Sequence, residues 1–213
     1  MEKFAEGGWL TVVVTAALVS LCFVVRRHYR FAAATMEGLY AELGNLPTPH
    51  DAPAAEPDPK QPVAAVLVAS YSGLGIHTVL NAFRAFPGFY KGLVFVSVGV
   101  VDSGEFKGEG AVEELRKRTE EMLQQYVRLA RGMEVPAAFR MAVGIDAVDT
   151  AEELCLAVSK EFPKATFFSG KMVFQRERWY HALLHNNTAL ALQQRLQWAG
   201  KTMVTLPVRL REG

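Results

Sequence analysis

From Trp9 to Val25 the chain carries no charged residue, and the run reads WLTVVVTAALVSLCFVV. Those 17 residues meet about the minimum length for crossing a hydrocarbon core of ~30 Å at 1.5 Å per residue. Trp9 at one end and Tyr29 at the other suit the two membrane interfaces. Arg26, Arg27, His28, Tyr29 and Arg30 follow at once, whereas only Glu2, Lys3 and Glu6 precede. The cationic excess after the run places the C-terminal side in the cytoplasm. A signal peptide would carry its positive charges before the apolar run, and here the polarity is reversed. A buried core helix is the other reading for so short a run, and the abrupt basic stop and the interfacial Trp argue against it. Residues 1–30 are therefore expected to be a single transmembrane helix with a basic stop, held in the inner (plasma) membrane.

The pattern then weakens. Phe31 to Leu46 has helical composition, with apolar positions at Phe31, Met36, Leu39, Tyr40 and Leu43. It is expected to continue the membrane helix or to lie along the surface as a short amphipathic piece. Pro47 to Pro62 reads PTPHDAPAAEPDPKQP, and six prolines among Ala, Asp and Glu predict a semi-extended spacer without a packed core. His50 within it is expected only to be solvated. Residues 31–62 form the predicted linker region.

After Pro62 the pattern turns to alternating buried strands and helices. Val63 to Ser70 is a continuous apolar run, as in a strand covered on both faces. A turn, Tyr71-Ser72-Gly73-Leu74-Gly75, leads to a helix from about Ile76 to Phe86. Strands follow at Leu93–Val101, Phe139–Ile145, Ala165–Ser169 and Thr202–Leu210, and helices at Gly110–Met133, Val148–Glu161 and Arg176–Ala199. The long helix has an apolar stripe of Leu115, Met122, Leu123, Tyr126, Val127 and Ala130. Gly200 is a normal helix stop. Strand and helix alternate throughout, and right-handed crossovers then give an α/β fold with a five-stranded parallel, doubly wound sheet over residues 63–213.

Composition changes little in this picture. The formal net charge is +1, so nothing suggests a nucleic-acid partner. Cys22 lies in the apolar run and Cys155 in a helical pattern. Neither a disulfide between them nor a metal-type spacing is expected, which fits a reducing cytoplasmic setting.

Ligands of such sheets bind at the carboxyl ends of the strands, near the point where strand order reverses. Those ends are expected to carry Ser70–Gly75, Asp102–Gly104, Gly144–Asp146 and Ser169–Lys171. Ser70, Ser72, Gly73 and Gly75 could offer backbone N–H groups at a helix start to an anion, or serve turn geometry alone. Asp102 could take a ribose hydroxyl or cap a turn. Gly144 sits at a strand end. Gly170 and Lys171 read as a loop in which the lysine could meet a phosphate or be solvated. His181 and His185 share a helix face, with His77 elsewhere, but no third ligand completes a metal site. Arg176, Arg178, Trp179, Tyr180 and Trp198 form an aromatic and basic cluster suited to core packing or to a partner interface. No nucleophile elbow, Cys–His pair or close acidic pair is present, so no catalytic residue is expected.

VSVGVVDSGEFK (96–107), FRMAVG (139–144), FFSGK (167–171) and LQWAG (196–200) resemble the cytoplasmic C-terminal domain of bacterial amino-acid-permease-like transporters. These belong to the amino acid–polyamine–organocation superfamily. The front end, KFAEGGW running into the apolar span and RRHYR, is similar to the last transmembrane helix of the same proteins. The layout of the soluble part is similar to that of universal stress proteins. Nucleotide-binding members of that family carry an Asp near the end of the first strand and a Gly-x-x-Gly stretch after the fourth. A further Gly, followed by Ser or Thr, comes later. Here the first strand ends in Ala69-Ser70, Gly170 stands as the first glycine, Val173 holds the place of the second and Leu183-Leu184 that of the later one. No cofactor is therefore expected, and a nucleotide is the one candidate ligand. The resemblance implies a regulatory or assembly portion of a permease-like transporter, not transport-competent alone and not an enzyme. Its expected partners are the membrane, a multi-span transporter subunit and a second copy of the chain. The alternative expectation is a free-standing, membrane-tethered nucleotide sensor.

Overall fold

A computed structural model of the chain describes residues 9–42, 55–101, 109–174 and 188–210. The first element, α1, is one helix from Trp9 to Glu42. Its Trp9–Arg27 window has a mean hydropathy of 2.1 and none of it is buried by the rest of the chain. Leu10, Val12, Leu18, Leu21 and Phe23 are each more than half exposed. A core helix would hide such side chains, so that reading is excluded. The window rises roughly 28 Å at 1.5 Å per residue, and it is the one described helix long and apolar enough to cross a membrane. The juxtamembrane stretch follows the first of its two expected courses, since α1 runs on without a break past Arg26 and Arg27 to Glu42.

The remaining elements alternate: β1 (Val63–Leu67), α2 (Gly73–Ala85), β2 (Gly92–Val100), α3 (Glu109–Gly132), β3 (Ala137–Gly144), α4 (Ala147–Glu161), β4 (Ala165–Phe174), α5 (Thr188–Trp198) and β5 (Met203–Leu210). All neighbouring strands pair in parallel, in the order β3-β2-β1-β4-β5. The chain winds outward from β1 to β3, returns to β4 and winds outward again. Right-handed crossovers put α2 and α3 on one face and α4 and α5 on the other. This is the doubly wound α/β fold that the alternation predicts.

Side-chain alternation along β1 serves both faces. Ala64 and Val66 join Leu93, Phe95 and Phe168 beneath Ile76, Val79, Leu123 and Tyr126. Val63 and Ala65 join Val94, Val96, Phe167 and Met203 beneath Cys155, Val158, Leu192 and Leu196. Val63, Ala64, Ala65 and Val66 are fully buried, as expected of a central parallel strand. Cys155 is a core residue, and burial pushes its thiol up to about 12, which leaves it unreactive at neutral pH.

The helix ends follow local chemistry. Ser72 caps α2 through Oγ, which accepts from the Gly75 N–H, and Asp146 caps α4 by accepting from the Val148 and Asp149 N–H groups. At Gly200, with φ 71°, α5 ends in a paired closure, Gly200 N–H to Gln197 C=O and Lys201 N–H to Leu196 C=O. The expected end of the last helix is therefore met. Its expected start at Arg176 falls outside the described residues.

Three boundaries differ from expectation by three residues or more, one being the start of α2, at Gly73 rather than near Ile76. β1 stops at Leu67, not Ser70, and β4 runs on from Ser169 to Phe174. The Ser-Gly-Lys sequence reads as a turn, yet β5 pairs beside it at every residue from Ser169 to Phe174 and keeps it extended.

The spacer also ends earlier than its composition suggests. Pro57 is buried, and the Ala55 carbonyl accepts from the Ala137 N–H. The Gln61 N–H closes a turn on the Asp58 carbonyl, and the Lys91 N–H reaches the Pro62 carbonyl. Residues 55–62 are thus folded against the amino ends of β2 and β3. A proline ring is apolar and carries no N–H to satisfy, so it seats dry against Gly92. A Cβ on Gly92 would lie 2.8 Å from Pro57 Cβ and 3.3 Å from the Pro136 carbonyl oxygen. Gly92→Ala should therefore destabilise the fold by about 1–3 kcal/mol in urea unfolding. Most of that loss should vanish in a Pro57→Gly background, because the two residues are in contact.

Candidate functional site

The carboxyl end of the sheet has a notch at its centre. β1 pairs with β2 only as far as Leu67↔Val96, while β2 and β3 continue pairing to Val100↔Gly144. On the other side β4 and β5 continue to Phe174↔Leu210. The notch lies beyond the end of β1, between β2 and β4, at the β1/β4 boundary where strand order reverses, which is the usual ligand crevice of open α/β sheets. Its floor is the turn from Val68 to Ser72, and α2 begins immediately above it.

That turn is held from inside by Tyr126 of α3. The ring is fully buried, stacks on Phe95 at 5.0 Å and meets Tyr71 edge-on at 4.8 Å. Its hydroxyl donates to the Ser70 carbonyl at 2.8 Å and accepts from the Ser72 N–H at 3.3 Å. A Cβ on Gly75 would stand 1.9 Å from that hydroxyl oxygen. Gly75 is therefore required by the approach of Tyr126.

The other glycines of the rim have similar neighbours. A Cβ on Gly170 would meet Thr78 Oγ1 at 2.2 Å, and one on Gly144 would meet Thr150 Oγ1 at 2.0 Å. Thr78 Oγ1 in turn donates to the Leu74 carbonyl at 2.7 Å. These glycines let helices lie close on the sheet.

The structure brings some of the expected residues together and separates others. Ser70, Ser72, Gly73, Gly75 and Gly170 gather on the α2 side of the notch. Lys171 does not join them: it is an exposed strand residue opposite Pro207, and alternation sends it to the opposite face from Gly170. The loop reading of Gly170 and Lys171 is corrected accordingly. Gly144 also faces the α4 side. Asp102, Arg176, Arg178, Trp179, Tyr180, His181 and His185 lie outside the described residues. His77 is half-buried on α2, and no group of three metal-binding side chains exists among the described residues.

Two polar features were missed in the sequence. On the α5 side, Gln193 donates to the Met203 carbonyl at 3.0 Å and accepts from Thr205 at 3.2 Å, with Ser169 3.5 Å from Thr205. Arg195 joins α5 to α4 through Asp149 and Glu152. Neither network leaves a signal in spacing, because each joins residues far apart in the chain. No family model and no curated protein matches this chain.

Tyr126→Phe should remove both bonds of the turn and lower stability by about 1–2 kcal/mol, read as an earlier urea midpoint. The α4 cap makes a second expectation. The N–H groups of Asp149 and then Val148 hold the Asp146 carboxyl below the usual carboxylate range. An acid depressed in the folded state stabilises the fold above its ordinary pKa, and that contribution is lost as pH falls through the depressed value. The stability advantage of the wild-type chain over Asp146→Asn should be present at neutral pH. It should disappear in strong acid, as followed by thermal melts across pH.

Proposed function

We propose that this chain is the C-terminal, regulatory or assembly portion of an amino-acid-permease-like membrane transporter, anchored by α1 and carrying its α/β unit in the cytoplasm. The observation that carries this reading is α1 itself. It carries no charged residue on any side from Trp9 to Val25, and none of the Trp9–Arg27 window is buried by the rest of the chain. Such a surface is stable only against lipid or against other membrane helices. One helix cannot build the bundle interior in which transporters place their substrate sites, so on this reading residues 1–213 are a separately encoded piece or a truncated product that works with further helices.

Three further features support the reading. The cations at Arg26 and Arg27 follow the span, which favours a cytoplasmic α/β unit. The rim glycines at 75, 144 and 170 meet Tyr126, Thr150 and Thr78, so the chain's own packing accounts for them without a bound nucleotide. The permease assignment draws on the resemblance of the span and of the segments at 96–107, 139–144, 167–171 and 196–200. A membrane-tethered nucleotide sensor is the second reading. What favours it is the start of α2 at the strand-order switch point.

The test is co-expression of the full chain with a multi-span permease-like partner, followed by affinity purification in mild detergent. Recovery of a stoichiometric complex is expected, whereas a chain that purifies alone and shifts its melting temperature with ATP would favour the sensor. Leu18→Arg places a charge at the centre of the span, where insertion costs about 2.5–3.5 kcal/mol. It should move the chain out of the carbonate-resistant membrane fraction.

A further inference from the structure

All strands of the sheet are parallel, so one rim collects every segment that precedes a strand. That rim holds the most exposed aromatic side chain of the described residues. Trp198, the last residue of α5, is 93% exposed, and Phe89, just before β2, is 54% exposed. A tryptophan left almost wholly in water makes little packing contribution to its own fold, and an amphipathic indole suits an apolar–polar boundary.

Cations surround these rings. Lys60, Arg84, Lys91, Lys160 and Lys164 are exposed on the same rim, and Lys201 is half-exposed beside Trp198. The carboxylates of the rim are Glu56, Asp58, Glu134 and Glu161. Two of these are taken up by Arg140: Glu161 pairs with it directly, and Glu56 adds to the field that holds its charge. Asp58 accepts from the Lys60 N–H within its own turn. The rim therefore presents a cationic surface set with aromatic side chains.

The tether enters on this same side. The folded unit begins at Ala55, whose carbonyl is bonded at the amino end of β3. Residues 43–54 can extend at most about 40 Å, more than the roughly 22 Å that α1 rises beyond Arg27. The rim can thus reach the headgroup layer that the span itself crosses.

We propose that the amino-terminal rim of the sheet docks on an anionic lipid surface, with Trp198 and Phe89 set among the headgroups and the surrounding lysines on the lipid phosphates. The proposal rests on the reading of α1 as a membrane anchor. Juxtamembrane lysines gain from the negative cytoplasmic leaflet and lose that gain as salt screens it. Docking would hold the carboxyl rim, with its notch, facing away from the membrane.

The test uses the full chain in vesicles with Trp9→Phe and Trp179→Phe, leaving Trp198 as the only indole. The vesicles are brominated phosphatidylcholine with or without phosphatidylglycerol. Trp198 emission should fall by about half in the anionic vesicles, recover at high salt, and stay unquenched in neutral ones. Combining Lys91→Gln, Lys164→Gln and Lys201→Gln should abolish the quenching. Equal quenching in both vesicle types would overturn the proposal, as would Trp198 remaining open to acrylamide in both. Protection from acrylamide without lipid quenching would assign the rim to a protein and also overturn it. A companion variant retaining only Trp9 separates the two readings. If Trp9 is quenched and Trp198 is not, the anchor stands and the docking fails. If Trp9 is not quenched, the anchor fails first.

Discussion

Backbone groups that leave a buried ladder must find new partners, and this requirement is sharpest where β1 ends while the sheet continues on both sides. The Tyr126 hydroxyl meets it by taking the Ser72 N–H and giving its own proton to the Ser70 carbonyl. Much else follows from that one atom. The ring must lie flat on Phe95, which fixes the position of α3 over the sheet. Gly75 must lack a side chain, because the hydroxyl fills the space. Ser72 is then placed to cap α2, and α2 to lie on Gly170 through Leu74 and Thr78.

The chain divides its apolar residues between a packed core and one uncovered helix. In the α/β unit, valines, alanines and phenylalanines of five strands are hidden between two helical layers. In α1 the same residue types face outward, and the rest of the chain leaves them uncovered. Ion pairs sit at the periphery, as with Arg195 between Asp149 and Glu152 and Arg140 on Glu161. They fasten helices to each other and to an edge strand, and partly exposed pairs of this kind add little stability.

The fold was largely legible because its signals are local. Alternating apolar runs and charged helices gave the element order, and crossover handedness then gave the parallel sheet. Gly200 was readable as a helix stop, because it acts on backbone next to it. The misread parts depend on distant partners. β4 extends past Ser169 because β5 runs beside it, and Pro57 is buried because Gly92 leaves room. The glycines of the turn were visible, but the reason for Gly75 is a hydroxyl reaching in from α3. Tyr126 was recognised as part of an apolar stripe, and periodicity says nothing about where a phenol oxygen ends. Lys171 and Gly170 are adjacent in sequence and opposite in space, a consequence of strand alternation that a loop reading hides.

The central claim is that Tyr126, and not a bound anion, completes the turn at the start of α2. Amide NMR of the isotopically labelled chain during titration with ATP tests it most directly, through the Ser72, Gly73 and Gly75 signals. These amides should keep their shifts through millimolar nucleotide, with the Ser72 amide moving only on Tyr126→Phe. Saturable shifts at all three, produced by nucleotide in the wild-type chain, would contradict the claim and make the notch a ligand site.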